Sequence, residues 1–389
     1  MSCRPLFLLF GLAASLTGMA AEPAPFDTAV RELGRAWLID NDGVGLTIGV
    51  YANGQRHFYN FGATQLDGNK TPTKDTVYEI GTLAKTFTGQ LLARAIVEGR
   101  AALNDEVAKY LEEPYPNLEY GGEKVRLVHL ANMTSQLMDN IPDLTQVRGV
   151  PGELLTVTRM RVIERYTRAE FLRQLHKVAP RRPPGEDLSQ SNVGTMLLGV
   201  VIEKLYGEPF EGILAREIEK PLRMGRGTAP PTKLLARGYT EDDEALPPFA
   251  ARTQFPSASL RYSADDLLKY AAWQMVERDA SVKLAHQPTW TTRDQREAVG
   301  FYWIVGRSPA GRRLQYSGGT FGFAGFCDLY PDARVAVVLL SNKAADGAQG
   351  TLRAMSAKIA ELAAPVELAA PGGAVSPSPS SAGAPPPGR

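Results

Sequence analysis

The sequence has little cysteine, and this absence already excludes two classes of protein. Two cysteines, Cys3 and Cys327, stand in a chain of 389 residues. Cys3 lies in a segment that we expect to be removed, which leaves Cys327 alone. A lone cysteine excludes an internal disulfide and a cysteine-based metal site. The fold is therefore expected to depend on its apolar core, which a chain of this length can supply.

The chain also lacks an excess of charge of either sign. Lysine and arginine number 43 and aspartate and glutamate 42, which gives a formal net charge of +1. Such a balance provides no basic field for nucleic acid, so no nucleic-acid partner is expected. Charged residues are 22 % and apolar residues 44 % of the chain, as in ordinary globular proteins. No apolar run reaches the length of a membrane span, so no stable span is expected.

The first 21 residues predict a secretory signal peptide. Arg4 supplies a positive start, residues 6–14 supply a short apolar core, and small residues precede the expected cleavage after Ala20 or Ala21. The alternative is a retained anchor helix, which the shortness of the apolar core disfavours. We therefore predict a periplasmic or secreted protein.

The other end of the chain predicts a disordered tail. Residues 366–389 are rich in proline, glycine, serine and alanine, and such a segment cannot bury enough apolar surface to offset its chain entropy. Residues 22–365 remain as the folded domain. The sequence does not indicate an oligomeric state.

Apolar periodicity predicts strands at both ends of this domain and helices between them. Residues 26–39 have helical periodicity, and predicted strands 46–51 and 57–61 flank Asn53-Gly54, a pair typical of tight hairpin turns. The other predicted elements are helices at residues 82–98, 193–205 and 347–362 and strands at residues 300–305, 312–316, 323–330 and 334–340. This order indicates an α+β fold, in which an antiparallel sheet from both chain ends is flanked by helices and a mostly helical lobe is inserted. We expect the active-site cleft between the two parts.

Several common site motifs are missing. The sequence has no Gly-x-Ser-x-Gly elbow, no His-Glu-x-x-His pair and no phosphate-binding loop. The histidines lie without ligand spacing at His57, His129, His176 and His286. No metal and no cofactor are therefore predicted.

One segment places a hydroxyl and an ammonium on one face of a predicted helix start. Thr82 and Lys85 are three residues apart and would lie on neighbouring turns. If the lysine is buried, its pKa falls and the neutral amine can take the hydroxyl proton. The alternative is that Thr82 caps the helix and Lys85 is a solvated residue of its first turn. For a bare Thr-x-x-Lys this alternative is the stronger one.

The wider context favours the catalytic interpretation, because the chain resembles the penicillin-recognising serine hydrolases. The resemblance is to the branch of class C β-lactamases, D-Ala-D-Ala carboxypeptidases and esterases, and it spans residues 26–362. The segments that are similar lie in order at residues 76–88, 103–111, 125–135, 184–192, 221–224, 263–266 and 317–323. The resemblance implies a β-lactamase/transpeptidase-like fold and acyl-enzyme chemistry.

The chain departs from this family in all three of its catalytic motifs. Thr82 stands where the family has the nucleophilic serine, and Gln190 stands where it has a proton-shuttling tyrosine. Tyr316 stands where it has lysine or histidine, whereas Asn192 is retained. Threonine keeps an oxygen nucleophile but adds a crowding methyl group. Glutamine cannot accept a proton near neutral pH, so Lys85 or Tyr316 would have to replace the tyrosine.

By this resemblance the site residues divide into two groups. Those expected to take part in catalysis are Thr82, Lys85 and Tyr316, and those expected to bind substrate are Gln190, Asn192, Gly318 and Gly319. The Thr82 N–H and one from the strand near Gly319 would form the oxyanion hole. Two alternatives remain open here: Tyr316 is merely packed, and Asn192 is a helix cap.

Two functions follow from the residues and the resemblance. The first is a periplasmic hydrolase that cleaves an amide or ester through an acyl-enzyme on Thr82, with a peptidoglycan peptide, a β-lactam or a small ester as substrate. The second is a catalytically impaired pseudoenzyme that binds a peptide or peptidoglycan fragment in the retained cleft. The survival of a hydroxyl and a lysine together favours the hydrolase.

Overall fold

The computed structural model describes residues 25–139 and 141–364, so the predicted signal peptide and tail lie outside it. In chain order the strands are β1 (Gly45–Ala52), β2 (Gln55–Gly62), β3 (Val77–Glu79), β4 (Glu119–Tyr120), β5 (Glu123–Lys124), β6 (Gly238–Tyr239), β7 (Ala245–Leu246), β8 (Arg261–Ser263), β9 (Trp290–Thr291), β10 (Ala298–Val299), β11 (Ile304–Ser308), β12 (Gly311–Gly319), β13 (Ala324–Tyr330) and β14 (Val335–Ser341). The α-helices are α1 (Pro25–Asp40), α2 (Ala84–Val97), α3 (Leu127–Ala131), α4 (Gly152–Arg165), α5 (Arg168–Leu175), α6 (Asn192–Tyr206), α7 (Phe210–Leu214), α8 (Ala264–Val276), α9 (Ala280–His286) and α10 (Ala348–Ala363).

Eight of the strands form one antiparallel sheet that joins the two ends of the domain. Their order across the sheet is β2-β1-β14-β13-β12-β11-β10-β9. The β1–β14 pair makes the junction, with Leu46 opposite Ser341. In the β1–β2 hairpin, Asn53 and Gly54 have φ values of 52° and 78°, the left-handed values that a primed two-residue turn requires. The predicted sheet and hairpin are thus confirmed.

The main sheet is covered on both faces, and β14 shows how. Alternate residues of a strand point to opposite faces. One set packs in the cluster beneath α1 and α10: Val335, Val337 and Leu339. The other set packs in the larger cluster that α8 and the helical lobe share: Ala336, Val338 and Leu340. The strand is therefore apolar throughout rather than alternating, as expected for burial on both sides.

The helical lobe is built around α2, which is buried on nearly every side. α2 packs against α6 and α9, and its residues belong to the largest apolar cluster. A polar side chain in its first turn therefore loses its water. The predicted helices are confirmed to within a few residues, except that residues 82 and 83 form part of a 3₁₀ turn, Gly81–Leu83, before α2 begins.

One predicted strand begins later than the sequence indicates. The pattern predicts a strand over residues 300–305, but β11 begins at Ile304. The Phe301 N–H is bonded to the Ala285 carbonyl and the Tyr302 N–H to the Ala131 carbonyl, so these residues pair with helix ends. Tyr302 also has a φ of 64°, which a strand does not allow. The apolar run reflects burial in the lobe.

The longest helices in the described part of the chain are α1 and α10, with 16 residues each. At about 1.5 Å per residue they fall short of a hydrocarbon core of about 30 Å. Within residues 25–139 and 141–364, no helix combines the length and the apolar character needed to cross a bilayer.

Candidate active site

The turn that carries Thr82 lies directly against the end of β12. This segment, Gly81–Leu83, is called the Thr82 turn below. A Cβ atom on Gly81 would lie 2.1 Å from the Gly319 carbonyl oxygen, and one on Gly318 would lie 2.1 Å from the Ile80 carbonyl oxygen. Gly81 also has a positive φ of 52°. Glycine at these positions lets the two backbones meet.

The Thr82 side chain faces β12. Thr82 is half-buried, and its hydroxyl donates a hydrogen bond to the Ser317 carbonyl at 3.0 Å. The cap positions of the 3₁₀ turn and of α2 are Ile80 and Leu83, and neither helix start has a side-chain cap. The alternative that Thr82 caps the helix is therefore wrong.

Lys85 is buried in the first turn of α2. Its exposed fraction is 1 %, so the alternative of a solvated lysine is wrong as well. Burial lowers the pKa of Lys85 to about 8, and the nearby negative charge of Asp139 opposes that shift. The lysine is therefore partly neutral near pH 7, as the catalytic interpretation requires.

Asp139 is a site residue that the sequence analysis did not identify. Its charge acts on Lys85 and Tyr316. It also accepts a hydrogen bond from the first residue of α6. The Asn192 N–H is bonded to the Asp139 carbonyl at 2.9 Å, with the Asp139 Oδ1 at 3.1 Å. Asp139 comes four residues after the segment at residues 125–135 that resembles the family, and proximity to that segment was the one available signal.

The second motif places Asn192 in the site and leaves Gln190 at the surface. Ser191 caps α6, because its Oγ accepts the Gly194 N–H at 2.8 Å and donates to the Met138 carbonyl at 2.7 Å. Asn192 is the half-buried first residue of the helix, so the alternative that it is the cap is wrong. Gln190 is exposed, and among the described residues no hydrogen bond joins its side chain to the Thr82 turn.

Tyr316 is buried, and its hydroxyl already has a hydrogen-bond partner. Its exposed fraction is 2 %, and the hydroxyl donates to the Met133 Sδ at 3.3 Å. The Tyr302 ring packs edge-on against it. Burial raises the pKa of Tyr316 far above its usual value, and the charges of Tyr302 and Asp139 act in the same direction. These contacts favour the alternative in which Tyr316 is packed.

A buried carboxylate, Glu79, lies at the end of β3 just before the Thr82 turn. Its exposed fraction is 5 %. One oxygen accepts the Phe249 N–H at 2.6 Å and the other accepts the Thr320 hydroxyl at 2.7 Å. Burial raises the pKa of Glu79 to about 7, although both hydrogen bonds and Arg261 act to lower it. Glu79 lies in the segment at residues 76–88 that resembles the family, but the sequence predicted no role for it.

The geometry therefore brings most of the predicted site residues together. Gly318 and Gly319 meet the Thr82 turn, and Lys85 follows that turn in the first turn of α2. Asn192 and Lys85 have Asp139 as a common neighbour. A half-buried threonine three residues before a buried lysine of lowered pKa is an arrangement suited to nucleophilic catalysis. Across residues 25–139 and 141–364, no three His, Cys, Asp or Glu side chains are grouped as a metal site would require.

The fold and this arrangement agree with comparisons with known proteins. The model of the Beta-lactamase family matches residues 26–361, and the chain therefore belongs to the β-lactamase family of hydrolases.

One curated relative is the D-alanyl-D-alanine-carboxypeptidase/endopeptidase AmpH of Escherichia coli K12, which is 24 % identical over 358 residues, covering 86 % of this chain and 90 % of that protein. A solved β-lactamase/D-alanine carboxypeptidase from Pseudomonas syringae has a TM-score of 0.72 at 19 % identity, covering 88 % of this chain and 100 % of its own. A solved class C β-lactamase has a TM-score of 0.73 at 20 % identity, covering 86 % and 96 %. These structural likenesses establish the β-lactamase/transpeptidase-like fold.

Proposed function

We propose that this protein is an acyl-transfer hydrolase in which Thr82 is the nucleophile and Lys85 the general base. The observation that carries the proposal is the burial of Lys85 one helical turn from the Thr82 hydroxyl, which lowers its pKa to about 8. At pH 7 roughly a tenth of such lysines are neutral. A neutral amine can accept the hydroxyl proton, whereas an ammonium cannot.

The proposed reaction has two steps. The Thr82 Oγ attacks the carbonyl carbon of an amide or ester while its proton passes to the Lys85 Nζ. The bond to the leaving amine or alcohol then breaks, and the leaving group takes that proton from Lys85. Water next attacks the acyl-enzyme, gives its proton to Lys85 and releases a carboxylic acid, and the proton returns to the Thr82 Oγ.

The backbone around the Thr82 turn supports the proposed oxyanion hole. The Thr82 N–H and the Gly319 N–H would donate to the carbonyl oxygen as it becomes negative. The close approach of Gly81 and Gly318 to the facing backbone holds these donors near each other. We assign substrate contacts to Asn192, which lies at the buried start of α6, and to Gln190 at the surface.

The substrate class is an amide or ester, and three kinds fit the proposal: a peptidoglycan peptide, a β-lactam and a small ester. Support for the first two comes from relatives whose names give D-alanyl-D-alanine-carboxypeptidase and β-lactamase activities. We also propose a periplasmic or secreted location, since residues 1–21 predict a signal peptide.

A second candidate function is a pseudoenzyme that binds a peptide or peptidoglycan fragment without turnover. Two observations favour it. Gln190 cannot accept a proton, and the Tyr316 hydroxyl is directed to Met133. In this alternative Thr82 would serve as a substrate contact.

Intact-mass analysis after incubation with a fluorescent penicillin and with an activated ester separates the two functions. We expect an adduct that maps to Thr82 in the wild type, none in T82A, and an equal or faster reaction in T82S because the crowding methyl is absent. Adding Q190Y to T82S should raise the rate further by restoring a proton relay, and the two effects should not be additive. Binding of peptidoglycan peptides with no adduct and no hydrolysis over a panel of amides and esters would leave the pseudoenzyme.

A further inference from the structure

Glu79 connects three segments that are distant in the chain and adjacent at the site. Phe249 is 170 residues away in sequence and Thr320 is 241 residues away. Thr320 directly follows Gly319, the last residue of β12. Glu79 itself is three residues before Thr82. Its two oxygens therefore tie the end of β12 and the segment at residues 249–251 to the strand from which the Thr82 turn begins.

The two tied segments also contact each other, and the segment at residues 249–251 contacts a second carboxylate. The Phe249 ring packs edge-on against Phe321, with centroids 5.7 Å apart. The next N–H, that of Ala250, is bonded to Glu164 of α4 at 3.0 Å. The Ala251 N–H is bonded to the Ser259 Oγ at 2.9 Å. The segment at residues 249–251 is thus held by side chains at each successive N–H.

We propose that Glu79 is a positioning residue of the acyl-transfer site, which holds the end of β12 at a fixed distance from the Thr82 turn. This inference rests on the proposed function, because the end of β12 carries Gly319 and its oxyanion donor. The ionised carboxylate suits this role because both of its partners are donors, and bonds to an anion are shorter and stronger than neutral ones. When Glu79 is protonated, one oxygen becomes a donor and the Thr320 hydroxyl has to turn round.

Burial sets the pH at which this change occurs, and the charged groups around Glu79 modify it. Arg261 lies opposite on β8 and stabilises the anion, whereas Glu164 on α4 destabilises it. The Arg261 guanidinium donates to the Thr228 carbonyl at 2.9 Å. Burial outweighs these opposing effects and raises the pKa of Glu79 to about 7. The pKa of Glu79 thus lies just below that of Lys85, about 8, so the two protonations overlap and add to each other as the pH falls.

The test is the single-turnover acylation rate of the Thr82 hydroxyl by an activated ester between about pH 5.5 and pH 9, a range that extends roughly one unit or more beyond the two ionisations. In the wild type we expect the rate to fall below pH 8 as Lys85 is protonated and to fall more steeply below pH 7 as Glu79 is protonated. In E79Q, which keeps the shape and removes the charge, we expect a rate about fivefold lower at pH 8. The steeper fall below pH 7 should be absent.

Two comparisons separate positioning from a general loss of stability. Glu219 is another buried carboxylate that accepts one backbone N–H, from Gly227, and one hydroxyl, from Tyr262, and E219Q should keep the wild-type pH profile. T320V removes one donor from Glu79 and should slow acylation, and T320S should recover most of that loss. These two variants also test the proposal if E79Q does not fold.

The outcomes distinguish this inference from the proposed function. An unchanged pH profile in folded E79Q, or equal rates for T320V and wild type, overturns the role of Glu79 and leaves acylation of Thr82 intact. Absence of any adduct on the wild type overturns the proposed function and this inference with it. A steep limb that disappears in E79Q and persists in E219Q supports the inference.

Discussion

The Thr82 turn differs from the second and third motifs in the burial and the hydrogen-bond partners of its side chains. At the Thr82 turn the hydroxyl is half-buried and a lysine with a lowered pKa lies one turn away. At the second and third motifs, Gln190 is exposed and the Tyr316 hydroxyl is bonded to Met133. The first region combines a hydroxyl with a lysine of lowered pKa, whereas the other two have an exposed amide and a hydroxyl bonded to a thioether.

Under the proposed function, this contrast assigns proton transfer to Lys85. Here the pKa of Lys85 is near neutrality because of burial, and the pKa of Tyr316 is far above it for the same reason. Burial thus lowers the pKa of Lys85 so that part of it can act as a base near pH 7, whereas burial keeps the Tyr316 hydroxyl protonated there. The predictions below test each side of this contrast.

The largest effect should come from Lys85→Met, which keeps the volume and removes the base. We expect the acylation rate to fall about 10²- to 10⁴-fold, the usual contribution of general base catalysis. A matched control is Lys343→Met, since Lys343 is 4 % exposed but its ammonium is paired with Asp42 and Asp243 away from Thr82. Acylation within tenfold of wild type in Lys85→Met would mean that another group takes the proton.

A smaller effect should come from adding one methyl group to the Thr82 turn. Gly81 and Gly99 both have positive φ values, and a new side chain at each is strained by about 1 kcal/mol. At Gly99 no atom lies within 4 Å of the new Cβ, whereas at Gly81 the Gly319 backbone does. We expect Gly81→Ala to lower the free energy of unfolding by about 3 kcal/mol and acylation by tenfold or more. Gly99→Ala should cost about 1 kcal/mol by denaturant unfolding and leave acylation unchanged. Equal effects would show that the contact with β12 is unimportant.

A still smaller effect is expected from Asp139→Asn, which tests how the charge of Asp139 affects the pKa of Lys85. The negative charge of Asp139 raises the pKa of Lys85, so its removal should lower that pKa further. More of the lysine is then neutral at pH 7, and acylation there should rise roughly two- to threefold, because exposed charges are strongly screened. The acid limb of the pH profile should move to lower pH. Asparagine retains an oxygen that can accept the Asn192 N–H, so a lost α6 start is not expected. A limb that moves to higher pH would contradict the assignment.

The fold was largely predictable because its signals are local. Strand periodicity and the Asn53-Gly54 pair specify the hairpin within a few residues of sequence. The predicted strand over residues 300–305 began too early, since an apolar run does not distinguish a strand from a segment buried against helix ends. The backbone of Phe301 and Tyr302 pairs with helix ends that are distant in sequence, and the apolar pattern gives no information on such contacts.

Candidate site residues that belong to a sequence motif could be predicted. Residues that join the site only through contacts between distant parts of the chain could not. The resemblance identified Thr82 and Lys85, but the burial of Lys85 depends on helices 100 or more residues later in the chain, namely α6 and α9. Asp139 and Glu79 were not identified as site residues. The partners of Glu79 lie at Phe249 and Thr320, and no spacing in the sequence reports such a contact.

The smallest effect is expected from Tyr316→Phe, and it decides whether the third motif shares in catalysis. The change removes one hydrogen bond to the Met133 Sδ and leaves the ring contact with Tyr302. A thioether is a weak acceptor, so we expect a loss of about 1 kcal/mol or less in the free energy of unfolding. Because the hydroxyl faces Met133 and its pKa is far above neutrality, acylation should change less than about threefold. The catalytic role assigned to Tyr316 from the resemblance predicts instead a loss of about 10²-fold or more. Single-turnover acylation of Tyr316→Phe and wild type at pH 8, with the adduct mapped to Thr82, separates the two. A large loss in a folded variant would mean that the hydroxyl leaves Met133 during the reaction and carries the proton that Gln190 cannot.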